Sequence, residues 1–169
     1  SGYALGKLLT PINVALIRHR KAILEIDFTE DGHAMNSLPI VWQRLVSPEG
    51  KTCDRCSATH QEIQRALGKL KDALRPLGIA PSLSIKEIDE KAFKADPSES
   101  NRIWIAGKPM EEWLGANVGS SRCCSVCGDS DCRTVEVGAR TFESIPEQLF
   151  LRAALVAASQ MLEPTRDAG

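Results

Sequence analysis

Leu38-Pro39-Ile40-Val41-Trp42-Gln43-Arg44-Leu45-Val46, followed by Thr52-Cys53-Asp54-Arg55-Cys56, decides how the chain is read. The first run is rich in β-branched and aromatic residues and stops at Ser47-Pro48-Glu49-Gly50, so it predicts a strand. After the C-x-x-C, apolar residues recur at Ile63, Leu67, Leu70, Leu74 and Leu77. That spacing predicts an amphipathic helix, which Pro76 and Gly78 close. Ile79 to Ile88 then reads as a second strand, with Leu83 and Ile85 alternating against Ser82, Ser84 and Lys86. A strand, a helix long enough to cross back and another strand form a parallel βαβ unit.

Downstream, a linker holding Phe93 and Pro97 leads to a third strand, Arg102-Ile103-Trp104-Ile105. Gly107-Lys108-Pro109 is a turn, and Met110 to Leu114 either pairs back as a fourth strand or begins a helix. Thr134-Val135-Glu136-Val137 and Arg140-Thr141-Phe142-Glu143 flank Gly138-Ala139 as a hairpin. Pro146 opens a last helix with Leu149, Phe150, Ala153, Ala154, Val156, Ala157 and Met161 on a broad apolar face. The order predicts an α/β fold of thioredoxin-like plan: a βαβ unit plus a β-hairpin with flanking helices and a cysteine-rich loop insertion. Residues 1–37 form an N-terminal extension, 38–163 the domain and 164–169 a tail. In the extension, Ile12, Ala15, Leu16, His19 and Ile23 recur at helical spacing behind Thr10-Pro11, and Ile26 and Phe28 alternate like a strand.

Composition narrows the function. The 169 residues carry 21 Lys and Arg against 22 Asp and Glu, a net charge of −1, and only 5% aromatics. Nucleic-acid binding wants a basic face, and single-strand binding wants stacking rings, so neither is expected. No apolar run approaches the roughly 20 residues of a membrane span. Arg18-His19-Arg20-Lys21 puts charge where a secretory signal would be cleaved, so a cytoplasmic location is expected. No phosphate loop, dinucleotide fingerprint or serine nucleophile elbow occurs.

Six cysteines remain to be explained. Cys53 and Cys56 fall at the predicted helix N-terminus, where unpaired N–H groups and the helix dipole favour a thiolate. Arg55 and Lys51 add positive charge. With two residues between them the pair can close a disulfide, so Cys53 is the candidate nucleophile and Cys56 the resolving thiol of thiol–disulfide exchange. The second group, Cys123, Cys124, Cys127 and Cys132, has metal-ligand character: Cys124-Ser125-Val126-Cys127-Gly128 is a knuckle in which glycine lets the backbone turn. These four can hold zinc by themselves, join Cys53 and Cys56 in one site, pass disulfides to them, bind a softer ion such as copper(I), mercury or arsenic(III), or simply staple a long loop. His60, one helical turn beyond Cys56, is a further candidate ligand or proton shuttle and otherwise a solvated helix residue. Trp42, Trp104 and Trp113 fall on strand-like segments as core or rim. Glu111 and Glu112 are adjacent and point different ways, and Arg133 reads as a surface salt-bridge residue.

Ile40 to Val46, Thr52 to Thr59, Ser100 to Ile105, Met110 to Leu114, the Cys-Cys-x-x-Cys-Gly run with Cys132-Arg133-Thr134, and Ile145-Pro146-Glu147 together resemble an uncharacterised bacterial and archaeal family near the thioredoxin fold. The resemblance covers about three quarters of the chain and leaves out residues 1–37. It implies a thioredoxin-like fold and brings no established activity. Thioredoxins place a cis-proline before the third strand, beside the dithiol. Here the matching positions hold Ser100, Asn101 and Arg102, with Pro97 several residues earlier, which leaves the dithiol open to a metal.

The reading is therefore a dithiol oxidoreductase using Cys53 and Cys56 on a protein or small-molecule thiol or disulfide, with no cofactor required. The alternative is a non-catalytic zinc or soft-metal protein using the Cys123–Cys132 cluster, with or without Cys53, Cys56 and His60. An interaction module in which residues 1–37 join two copies of the chain is the third class.

Overall fold

The computed structural model describes residues 35–123 and 127–163. The helix and strand expected in residues 1–34, the dimerisation arm they would form, the tail at 164–169 and Cys124 lie outside the described residues. The first strand, β1 (Asn36–Leu45), enters two residues before the expected boundary at Leu38. Helix α1 (Asp54–Leu74) carries the chain back to β2 (Ile79–Ile88), which pairs with β1 in parallel, Asn36 opposite Ile79 through Leu45 opposite Ile88. A short helix α2 (Glu90–Ala95) and a 3-10 turn (Pro97–Glu99) lead to β3 (Arg102–Ile105), antiparallel to β1, and on to β4 (Lys108–Pro109). The four-stranded sheet has the order β2-β1-β3-β4, an α/β arrangement compatible with the thioredoxin-like plan. Helix α3 (Met110–Leu114), a separate antiparallel sheet of β5 (Asn117–Arg122), β6 (Asp131–Val137) and β7 (Arg140–Phe142), and helix α4 (Glu147–Met161) complete the chain.

The core follows from the two periodicities. Leu38, Ile40 and Trp42 bury one face of β1, and Ile63, Ala66, Leu70 and Leu74 bury one stripe of α1. Helix α4 packs against α1 and presents Ala153, Ala154, Ala157 and Ala158, small side chains that let the two backbones come close. Helix α1 gives way after Leu74 to a 3-10 turn (Arg75–Leu77) because Pro76 has no N–H to donate into the helix, and Gly78 reverses the chain at φ 68°. Leu77 therefore sits beyond the helix, 48% exposed, and is not part of its apolar face.

Several other expectations need correction. Ile85 is 43% exposed because β2 is the edge strand and its second half runs past the cover of the helices. Of the two readings of Met110 to Leu114 the helix is the one formed, so Trp113 is a helical and not a strand residue, its Nε1 donating to the Ile105 carbonyl at 2.8 Å. Arg133 is no surface residue: its guanidinium is buried against Glu111 at 2.7 Å and donates to the Ser98 carbonyl at 3.1 Å. Strand β5 carries no strand signal of its own, since Asn117-Val118-Gly119-Ser120-Ser121 is poor in strand formers. It forms because β6 is a strong strand beside it, and Gly119 leaves room for the β6 side chains. A Cβ at 119 would lie 2.8 Å from Thr134 Oγ1 and collide with the Glu136 carboxylate.

A buried polar chain ties these layers together. Trp42 Nε1 donates to Asn101 Oδ1 at 3.1 Å, and Asn101 Nδ2 donates to Thr59 Oγ1 at 3.1 Å. The Ile145 backbone N–H donates to the same Thr59 oxygen at 3.0 Å. Each buried donor is thereby satisfied, and β1, α1, β3 and the approach to α4 are held in register. Thr59→Val keeps the volume and removes the acceptor from two buried donors. It is expected to cost roughly 2–4 kcal/mol in urea unfolding, whereas Thr59→Ser should cost much less.

Candidate metal-thiolate site

Cys53 is the N-cap residue of α1, with an extended backbone at φ −75° and ψ 162°, and Cys56 lies in the first turn behind it. Both side chains are about 1% exposed. The hydroxyl of Ser100, where the chain enters β3, stands 3.7 Å from Cys56 Sγ. His60, one turn further on, points elsewhere. Its ring stacks on Trp42 at 5.0 Å and its Nε2 lies 3.1 Å from Gln64 Nε2. The histidine is thus part of the packing of β1 on α1 and stands apart from the thiol cluster.

The second cysteine group reaches Cys53 through Arg55. This residue is within the C-x-x-C motif, yet its guanidinium is directed at the far sheet. One nitrogen donates to Ser121 Oγ at 2.9 Å, and the other donates to the Arg122 carbonyl at 2.5 Å and pairs with Glu143 at 2.8 Å. Ser121 Oγ in turn donates to Glu143 at 2.9 Å. The end of β5 is thereby fastened to the start of α1, and the next residue is Cys123. Cys127 stands beside it, and Gly128, at φ 63°, turns the chain onward toward β6.

As a result Cys53, Cys123 and Cys127 place their sulfurs within 4.8 Å of one another, with Cys123 and Cys127 3.1 Å apart. Zinc–sulfur bonds of about 2.3 Å put tetrahedral ligand sulfurs about 3.8 Å apart, inside that range, so the trio fits a metal ion. Cys132, on β6 and buried, interacts with the Cys123 and Cys127 thiols. The two cysteine groups of the sequence are therefore one cluster, and Cys53 belongs to it together with the loop. The sequence placed Cys53 and the loop cysteines on separate segments and named no residue to join them. Arg55 supplied that link, where the sequence reading assigned it only a charge effect on the thiolate.

The electrostatics of the cluster are uneven. Cys53 is held down at about 5, first by the hydrogen bond from the Cys56 thiol, against opposing burial, then by the Cys56 backbone N–H and the Cys123 and Cys127 thiols. Cys56 is pushed up by that same hydrogen bond and by burial, so the pair keeps one proton and Cys56 holds it. Burial raises Cys127, with its Cys123 and Cys132 contacts adding to the effect, and burial raises Cys132.

Residues 38–154 match the family described as a domain of unknown function, DUF2703. The chain belongs to this family. An uncharacterized protein from Archaeoglobus fulgidus is 41% identical over 112 residues, 66% of this chain and 81% of its own length. No solved structure matches. The DUF2703 region contains every cysteine of the cluster. Among its described residues no helix is long and apolar enough to cross a membrane.

In reduced, metal-free protein, far-ultraviolet thiolate absorbance should rise with pH well below the ordinary thiol range near about 8.5. Because the group is an acid with a lowered pKa, the signal is present above that step and lost as the pH falls through it. Cys56→Ala removes the largest cause of the lowering and should move the step upward. A step left in place would show that other groups hold the thiolate.

Proposed function

We propose that this chain is a thiolate metal-binding protein that holds zinc, or a softer thiophilic ion, on Cys53, Cys123 and Cys127. One observation carries the reading: three cysteine sulfurs from two segments far apart in sequence converge within 4.8 Å in a largely buried cluster. A purely sulfur donor set suits zinc and copper(I) and disfavours magnesium or calcium, which take oxygen. Cys132, on β6 and in contact with the Cys123 and Cys127 thiols, is the further described sulfur available to complete coordination. The reading is tested by native mass spectrometry of anaerobically purified protein titrated with zinc. One tightly held ion per chain is expected, lost in Cys53→Ser and Cys127→Ser and retained in His60→Ala. Arg55→Ala should weaken binding while leaving the fold intact by circular dichroism, because it unfastens β5 from α1 without touching a ligand. Equal zinc retention by Cys53→Ser and wild type would overturn the three-sulfur assignment.

A second reading, thiol–disulfide exchange with Cys53 as nucleophile and Cys56 as resolving thiol, is favoured by the N-cap position of Cys53 and its lowered pKa. Its partner would be a protein or small-molecule thiol or disulfide. Against efficient turnover stands the burial of both sulfurs, since exchange requires access along the S–S axis. Metal-free protein should therefore reduce insulin slowly or not at all. Rapid reduction, abolished by Cys53→Ser, would instead make the dithiol the principal function.

A further inference from the structure

Cys53 is the one residue that stands in both arrangements. It belongs to the sulfur trio with Cys123 and Cys127, and its thiol also pairs with that of Cys56, which is not one of the trio. A sulfur can be a thiolate ligand or a disulfide partner, and not both at once. We infer that peroxide closes a Cys53–Cys56 disulfide and expels the ion, so that the C-x-x-C dithiol is an oxidation-driven release switch for the metal site. This inference rests on the metal-binding reading above.

Burial selects the class of oxidant. With Cys53 and Cys56 each about 1% exposed, a protein disulfide cannot align with either sulfur, whereas hydrogen peroxide is close to water in size. The Cys53 sulfur attacks one peroxide oxygen, the O–O bond breaks, hydroxide leaves and Cys53 becomes a sulfenic acid. The Cys56 sulfur then displaces that hydroxyl, its own proton completing a water molecule, and the S–S bond forms. Two electrons pass from the two sulfurs to one peroxide. The ion, left with Cys123 and Cys127 of the trio, departs as a hydrated cation, and those two sulfurs take protons from solvent. Two residues between the cysteines at a helix N-terminus let the bond close without unwinding α1.

The experiment uses the whole chain loaded with zinc, treated with hydrogen peroxide in the presence of a chromogenic zinc chelator. Trypsin cuts after Lys51, Arg55 and Arg65, so the proposed disulfide joins peptides 52–55 and 56–65, apart from the 123–133 peptide that carries the loop cysteines. Expected are stoichiometric zinc release, the 52–55 to 56–65 linkage, and rebinding after a dithiol reductant. Cys56→Ser should still hold zinc and lose peroxide-driven release. Should that variant misfold, the wild-type linkage map decides alone. Release with the only disulfide inside 123–133, or between 52–55 and 123–133, would overturn the switch, as would zinc kept through oxidation. Wild type that never binds zinc would overturn the metal reading itself, a different result from zinc bound and not released.

Discussion

The guanidinium of Arg55 is the constraint on which the site depends. It bridges the first turn of α1 to the end of β5 through Ser121, the Arg122 carbonyl and Glu143. Without it, the four-stranded sheet and the three-stranded sheet would each still bury a face, but the charge-assisted tie that holds the end of β5, and with it Cys123, to the start of α1 would be lost. Charge-assisted contacts are well suited to this. They are directional and stronger than neutral ones, and Arg55 is shielded enough that solvent does not fully screen them. Placing the arginine between the two cysteines of the motif means that whatever positions the motif also positions the loop.

Behind this clamp lies the hydrogen-bonded chain from Trp42 through Asn101 to Thr59 and Ile145. It occupies the seam between sheet and helices, where an apolar substitute would leave donors without partners. Asn101 adopts φ 55°, a region asparagine tolerates better than most residues, and this local turn brings Ser100 to Cys56. Arg133 and Glu111 form a buried ion pair next in sequence to Cys132, anchoring β6 to α3. Three polar devices thus locate the sulfurs, and the apolar core supplies the rigid body that carries them.

Much of the architecture was legible because periodicity states it directly. The helical stripe from Ile63 to Leu74, the hairpin around Gly138-Ala139 and the helix after Pro146 all appear where the pattern puts them. Strand β5 was illegible because its residues are chosen for clearance and hydrogen bonding against β6, with Gly119 the clearest instance. The segment at Met110 lacks the length to display a period, and tertiary packing against α4 settles it as a helix. As for the site, the sequence named Cys53, Cys123 and Cys127 individually. Their union depends on long-range contacts of an arginine, which no local pattern encodes. Arg133 was misjudged for the same reason, its partner being in another element.

The separation of Cys53 from Cys123, about 70 residues along the chain, bears on how the molecule is assembled. In an unfolded chain Cys123, Cys127 and Cys132 are near neighbours, and gathering them around an ion closes only short loops. Recruiting Cys53 requires the first sheet, α1 and the second sheet to be built and docked. If the chain holds metal as proposed, a thiophilic ion present during synthesis meets a local chelate before the native one exists. The native arrangement prevails only if folding is fast relative to that capture, or if sulfur–metal exchange lets the loop surrender a ligand to Cys53. On the metal-binding proposal, the order in which folding and metal arrive is part of what this sequence has to manage.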